Sequence, residues 1–131
     1  MLTTSPTITG FYAGILAILY IALSFNVIRY RRSKQVGIGD GNDKDLAKAI
    51  RVHGNFAEYV PLALILLAIY ELSGAQAYTV HVLGGAFVAA RFLHALGLSK
   101  SIGVSWQRFV GTLSTFLVLL ILAVVNITAQ F

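Results

Sequence analysis

The sequence predicts an all-α fold, a transmembrane antiparallel four-helix bundle formed by a single domain over residues 1–131. Composition is the first reason, because 57% of the residues are apolar and only 11% are charged, whereas a soluble domain carries roughly 25% charged residues. The second reason is that the apolar residues form four stretches, each near the ~20 residues that a helix needs to cross a bilayer. Connections between these stretches are short, which favours antiparallel packing of neighbouring helices.

The four helices are expected over residues 8–30, 43–72, 77–98 and 107–130. The first and fourth apolar stretches are uncharged, whereas the second contains Glu58 and the third contains Arg91 and His94. The first ten residues contain no Lys or Arg. The basic region of a signal peptide is therefore missing, and we expect the first helix to remain in the protein.

The second helix is expected to begin after a glycine-rich connection at residues 36–41. Asn42 or Asp43 is the expected N-cap, because either side chain can accept a hydrogen bond from the first turn. A helix over residues 43–72 would be about 45 Å long, and its first turns would project beyond a hydrocarbon core of about 30 Å. Pro61 lacks an amide donor and crowds the carbonyl of Ala57, which predicts a bend.

The ten Lys and Arg residues are expected at one face of the membrane, because the connection between the second and third stretches has none. The positive-inside rule makes this face cytoplasmic and places both termini outside. An integral, multi-pass protein is expected, and the short connections and the lack of an organelle signal favour a bacterial inner membrane, with an endomembrane as the alternative. Basic residues gathered at a membrane face do not form a nucleic-acid groove. The absence of cysteine excludes disulfides and a thiol nucleophile.

One face of the second helix carries a row of polar residues. Arg51, Asn55, Glu58 and Tyr59 follow one another at helical spacing. Glu58 suits an ammonium, Arg51 a carboxylate and Asn55 a peptide group, so the row suits a small zwitterionic ligand. The alternative is an Arg51–Glu58 or Glu58–Arg91 pair that only neutralises itself inside the bundle.

Three further polar residues lie near the same end of the bundle. Arg91 and His94 share a face of the third helix, and the alternatives to a functional role are snorkelling of the Arg side chain and simple packing of the His ring. Arg108 begins the fourth helix, and a cation at a helix N-terminus is electrostatically unfavourable unless an anion is bound nearby. His53 and His81 have no carboxylate at ligand spacing, so no metal site is predicted.

The segment from Arg51 to Pro61 resembles the R-x-x-x-N-x-x-E signature of the MAPEG family, the membrane-associated proteins in eicosanoid and glutathione metabolism. The similarity extends over nearly the whole chain. It includes four spans, a basic end to the first, the signature at the start of the second, and the pair Arg91 and His94 in the third.

The resemblance implies a homotrimer of four-helix bundles that binds glutathione at each subunit interface, on the cytoplasmic side. The residues that would hold glutathione are Arg51, Asn55, Glu58 and Tyr59 from the signature, His94 and Arg91 from the third span, Arg31 and Arg32 from the first span, and His53 of the neighbouring subunit. Arg108 matches the arginine that stabilises the glutathione thiolate.

The activity implied by the resemblance is that of a glutathione transferase. Only the thiolate of glutathione attacks electrophiles, and a nearby guanidinium favours that anion. Conjugation to lipophilic electrophiles that enter from the bilayer is expected, with reduction of lipid hydroperoxides as a side activity. Two departures from the family pattern bear on catalysis. Leu98 replaces a tyrosine of several family members, and the stretch from Leu98 to Gln107 is one residue longer than in the prostaglandin synthase.

Two other classes of function stay open. A non-catalytic glutathione-binding or structural membrane protein would keep the bundle without the chemistry, and Leu98 favours this reading. A small proton-coupled multidrug transporter needs a titrating membrane carboxylate. In the small multidrug family that carboxylate lies in the first span, which has no acidic residue here, and Glu58 is surrounded by cations that favour its ionised form.

Overall fold

The computed structural model describes residues 5–100 and 105–131, with the side chains of all but residues 98–100 in those ranges. Four helices account for nearly all of the described chain: α1 (Thr7–Lys34), α2 (Lys44–Leu72), α3 (Ala77–Lys100) and α4 (Trp106–Thr128). Each of them is long and apolar enough to cross a membrane. Helices α1 and α2, and α3 and α4, form the closest pairs, and α2 also contacts both α3 and α4.

Apolar side chains lie both in the centre and on the outer surface of the bundle, as a membrane protein requires. Ten apolar side chains from the four helices fill the centre: Leu16, Phe56, Val60, Ala63, Leu67, Val80, Leu83, Phe87, Val118 and Leu122. Large apolar side chains such as Phe25, Leu62 and Phe116 are exposed on the outside. Because lipid tails solvate these outer side chains, the fold is that of an all-helical membrane bundle.

The helix limits differ from the expected ones mainly at the end of α1, which continues to Lys34 and ends at Gln35 in the left-handed conformation. Asp43, and not Asn42, is the N-cap of α2, and its carboxylate accepts a hydrogen bond of 2.9 Å from the Leu46 amide. That bond, together with Lys34 at 3.1 Å, holds the pKa of Asp43 below its usual value. The cap is therefore expected to weaken as the pH falls through this lowered pKa.

Helices α3 and α4 approach closely because glycine lies at their contacts. A Cβ atom at Gly111 would lie 2.8 Å from the backbone nitrogen of His94, and one at Gly97 would lie 2.9 Å from that of Arg108. Both distances are shorter than real Cβ contacts, so any larger residue would separate the helices. This close approach brings the end of α3 that carries His94 to the start of α4 that carries Arg108.

The opposite end of the bundle is closed by Glu71 in the last turn of α2. Its two carboxylate oxygens accept hydrogen bonds from the amides of Ile8 (2.9 Å) and Thr9 (2.7 Å) in the first turn of α1. The N-cap residue of α1 is Pro6, which has no side chain that can accept such a bond. Glu71 therefore supplies the missing cap from another helix.

Replacing Glu71 with alanine is expected to lower the melting temperature of the detergent-solubilised protein. Loss of a helix cap costs about 1 kcal/mol, which corresponds to about 4 °C for a chain of this size. Glu71→Gln should lower the melting temperature less than Glu71→Ala, because the glutamine carbonyl keeps one of the two acceptors. Gln76→Ala, on the exposed connection at the same end, is the control. Equal melting temperatures for Glu71→Ala and Gln76→Ala would show that the cap contributes nothing.

Candidate functional site

The candidate site begins with an ion pair on the surface of α2. Arg51 and Glu58 are two turns apart, and the guanidinium donates two parallel hydrogen bonds of 2.9 Å to the two carboxylate oxygens. The side chains are 54% and 50% exposed. A pair so open to solvent contributes little to stability. Each partner is therefore free to exchange the other for a ligand group at low cost.

Asn55 and Tyr59 lie beside this pair on the same face of α2 and are half-buried. The Asn55 carbonyl oxygen accepts a hydrogen bond from the Arg91 guanidinium. The Tyr59 ring packs against Phe116 of α4, with 5.6 Å between ring centres, and the Arg91 guanidinium carbon lies 5.9 Å from the Tyr59 ring centre. The polar row of α2 thus has an exposed ion pair on one side and fixed contacts with α3 and α4 on the other.

Arg91 and His94 are the most buried members of the site, at 2% and 3% exposure. Of the two ion pairs that the sequence left open, Arg51–Glu58 is present, whereas Arg91 contacts Asn55 and Thr115 and forms no ion pair within residues 5–100 and 105–131. In the same part of the chain, Arg91 Nε and His94 Nδ1 have no hydrogen-bond partner. The centre of the site is therefore a buried cation next to a buried imidazole.

Arg108 is the third residue of α4 and is half-buried. Its backbone amide donates a hydrogen bond of 3.3 Å to the hydroxyl of Ser105, the N-cap. Arg51, Arg91 and Arg108 lie on α2, α3 and α4, towards the same end of the bundle as His94. Three guanidinium groups from three helices therefore approach one region, and such a region favours an anion.

Arg31 contributes to the site through the connection between α1 and α2. Its guanidinium donates hydrogen bonds to the carbonyl oxygens of Gly39 (2.9 Å) and Val36 (3.3 Å). Gly39 and Asp40 line a surface depression together with Arg51. Arg31 thus shapes the wall beside Arg51, while Arg32 is exposed at the end of α1.

His53 lies on the opposite face of α2 from the Arg51–Glu58 pair, because two residues in a helix are about 200° apart. Its ring stacks on Tyr20 of α1, with 4.8 Å between ring centres, and its Nε2 lies 3.1 Å from the Ser24 hydroxyl. Within one protomer His53 is therefore separate from the polar row. Its expected contact with glutathione requires a neighbouring subunit.

Thr115 and Gly111 belong to the site although the sequence analysis did not select them. The Thr115 hydroxyl donates a hydrogen bond of 2.7 Å to the Gly111 carbonyl and lies 3.5 Å from the Arg91 guanidinium. The spacing in the sequence could have identified them, because Gly111 and Thr115 lie on the same buried face of α4 as Val118 and Leu122. A hydroxyl on such a face indicates a buried polar partner on another helix.

Two sequence observations concern other kinds of site. Leu98 replaces a tyrosine of several family members, and its side chain lies outside the described part of the structure. The connection at residues 101–104 also lies outside it. In the described ranges, no group of three His, Cys, Asp or Glu residues is arranged to hold a metal ion.

The fold and the site define a class of protein, an integral multi-pass membrane protein of four helices whose second helix carries a polar site. The model of the MAPEG family matches residues 9–128. The chain belongs to this family, as the signature on α2 predicted. It is also similar to "Inner membrane protein YecN" of Escherichia coli, in strain K12 and in an O6:H1 strain, with 35% identity over 120 residues in each. The matched region covers 92% of this chain and 90% of each relative.

Proposed function

We propose that the protein is a membrane-bound glutathione transferase that conjugates glutathione to lipophilic electrophiles. The observation that carries this proposal is the row Arg51, Asn55, Glu58 and Tyr59 on one face of α2, with the exposed Arg51–Glu58 pair at its edge. The row offers a cation, an amide and an anion, in the order of the carboxylate, the peptide group and the ammonium of a charged tripeptide. Family membership supports the same activity.

Glutathione binding exchanges the Arg51–Glu58 pair for two pairs with the ligand. The Glu58 carboxylate binds the ammonium of the γ-glutamyl group, the Arg51 guanidinium binds a carboxylate, and the Asn55 amide binds a peptide group. Tyr59 and His94 line the pocket. Because Arg51 and Glu58 are about half exposed, opening their pair costs little.

Chemistry at the sulfur requires that the thiol lose its proton, which passes to solvent water. The Arg108 guanidinium stabilises the thiolate, and the thiolate attacks the electrophilic carbon, forming a carbon–sulfur bond as the leaving group departs with its electron pair. In the side activity, two glutathione molecules reduce a lipid hydroperoxide to an alcohol and water and are themselves oxidised to the disulfide. Both reactions use the same bound anion.

The proposed assembly is a homotrimer in which each site lies between two subunits. His53 then reaches glutathione from the neighbouring subunit, and its place on the face of α2 opposite the Arg51–Glu58 pair supports this arrangement. An apolar groove of about 310 Å³ between α1 and α2, lined by Tyr20, Phe56 and neighbouring apolar residues, would face the lipophilic substrate. Native mass spectrometry of the detergent-solubilised protein tests the assembly, and a monomer alone would contradict it.

The proposed location is a bacterial inner membrane, with the termini outside and the site facing the cytoplasm. The gathering of Lys and Arg at one end supports this orientation, and the printed name of the Escherichia coli relative supports the membrane. Cysteine substitutions at Gln130 and Ser33 test it. A membrane-impermeant thiol reagent added to intact cells should label the first and spare the second.

The decisive experiment is calorimetry with glutathione on the purified, intact assembly, followed by conjugation of 1-chloro-2,4-dinitrobenzene. We expect saturable heat and formation of the conjugate, with absorbance of the bound thiolate near neutral pH. S-methylglutathione should bind without giving product. No heat with glutathione would refute the proposal, and binding without product would identify a non-catalytic glutathione-binding protein.

A further inference from the structure

Within the described ranges, Arg91 is a buried charge with no opposite charge beside it. Its side chain is 2% exposed, and in the described residues its hydrogen-bond partners are the neutral groups of Asn55 and Thr115. A buried guanidinium without a carboxylate is costly, and an apolar residue of similar size is often as stable or more so. Stability therefore gives no reason for an arginine at this position, and a role in the site does.

The hydrogen bond between Arg91 and Asn55 fixes the orientation of the Asn55 amide. A guanidinium has donors and no acceptor, so the carbonyl oxygen of the Asn55 amide must face Arg91. The Nδ2 group of the same planar amide then points away from Arg91. Over residues 5–100 and 105–131 the structure records no acceptor for Nδ2.

Arg91 is itself held by two other helices. The Thr115 hydroxyl donates to the Gly111 carbonyl at 2.7 Å, so its lone pairs face Arg91. The Tyr59 ring lies over the guanidinium, at 5.9 Å, a contact that favours a cation. Arg91 on α3 is thus fixed by α4 and fixes two members of the α2 row.

We propose that Arg91 is a positioning residue that reaches the ligand only through Asn55, whose Nδ2 group it turns toward the ligand. The role rests on the proposed binding of glutathione to the α2 row. It adds a preference: a fixed Nδ2 donor selects ligands with a carbonyl or carboxylate oxygen at this place. The side chain of Arg91 is 2% exposed and lies behind the Asn55 amide, so a ligand on this face of α2 meets Asn55 first.

The first test needs no ligand. The chain has four asparagines, Asn26, Asn42, Asn55 and Asn126, so selective ¹⁵N labelling of asparagine gives few side-chain signals, and Asn55→Asp assigns the relevant pair. Arg91→Met should shift this pair and speed its hydrogen exchange, because the amide is then free to flip. Unchanged Asn55 signals in Arg91→Met would overturn the proposal.

Arg29→Met is a matched control for this spectrum. Arg29 also donates to an asparagine carbonyl, that of Asn26, at 2.9 Å, but it is exposed on α1 and lines a depression that includes no member of the α2 row. The control should change the Asn26 signals and leave those of Asn55 alone. Movement of the Asn55 signals in both variants would indicate a general loosening and would also contradict a specific role.

The second test is a double-mutant cycle on glutathione affinity, measured by calorimetry. Asn55→Ala and Arg91→Met should each weaken binding about fivefold, the effect of one hydrogen bond. The double variant should bind no more weakly than Asn55→Ala alone. If the loss of affinity in the double variant equals the product of the two single losses, Arg91 acts on the ligand independently of Asn55, and the proposal is wrong.

Two further observations keep the cycle interpretable. Arg91→Met should melt at the same temperature as the parent or higher, and Arg91→Lys, which keeps a donor, should restore part of the affinity. If Arg91→Met does not fold, the proposal is carried by Thr115→Val, which removes the support of Arg91 and should shift the Asn55 signals. If the parent protein binds no glutathione, the proposed function fails, and the Asn55 spectrum alone decides whether Arg91 orients the amide.

Discussion

Glu58→Gln is expected to weaken glutathione binding by about tenfold, the loss of one charge-assisted interaction. The substitution keeps the size and shape of the side chain and removes the negative charge that would pair with the ligand ammonium. It also breaks the ion pair with Arg51, whose bonds to the two carboxylate oxygens are each 2.9 Å. Calorimetry with glutathione measures the change.

Asp45→Asn is the matched control for Glu58→Gln. It removes one negative charge from α2 near the same end of the bundle, at a side chain that is 57% exposed and 4.0 Å from Lys48. This variant should bind glutathione as the parent does. Normal affinity in Glu58→Gln would mean that the pocket assigned to the α2 row is wrong, and equal losses in both variants would indicate only a general effect of charge.

Arg108→Ala is expected to lower turnover at pH 7 by about tenfold, with a smaller effect on the affinity for glutathione. The free thiol has a pKa of about 8.5, and a guanidinium that lowers it by one unit raises the thiolate fraction nearly tenfold at neutral pH. Without Arg108 this gain is lost. As the pH rises through about 8.5 the thiol ionises unaided, so the rate of the variant should approach that of the parent.

The pH profile separates this role from a structural one. Conjugation is measured from pH 6 to 9.5 for the parent, for Arg108→Ala and for Arg29→Ala, where Arg29 is an exposed residue of α1 that donates a hydrogen bond to Asn26. Arg29→Ala should follow the parent at every pH. If the conjugation rate of Arg108→Ala is the same fraction of the parent rate at every pH, Arg108 does not act on the thiol proton.

The four helices were predictable because their signals are strong and local. A bilayer requires about 20 apolar residues for each span, and these stretches are nearly free of charge in this sequence. The Asp43 cap was one of two residues expected, because its side chain accepts from the third helical amide. The extension of α1 to Lys34 was not predicted, since the basic residues there follow the apolar stretch and helical geometry does not require apolar side chains.

The site was predictable only where its residues share one helix. Spacing placed Arg51, Asn55 and Glu58 on one face of α2, and the structure adds which of them pair. The partners of Arg91 could not be read from spacing, because Asn55 and Thr115 lie on two other helices. The cap by Glu71 escaped for the same reason, since its acceptors and the amides of Ile8 and Thr9 are more than 60 residues apart.

The Arg51–Glu58 pair on α2 also affects which kinds of charged ligand the site prefers. A simple anion such as phosphate that engages Arg51 must strip it from Glu58, and it leaves the carboxylate with a negative neighbour instead of a positive one. A molecule with both charges restores a counter-charge to each partner. We therefore expect a modest preference for ligands that carry both charges over ligands of one sign, no larger than the small stabilisation that an exposed ion pair provides.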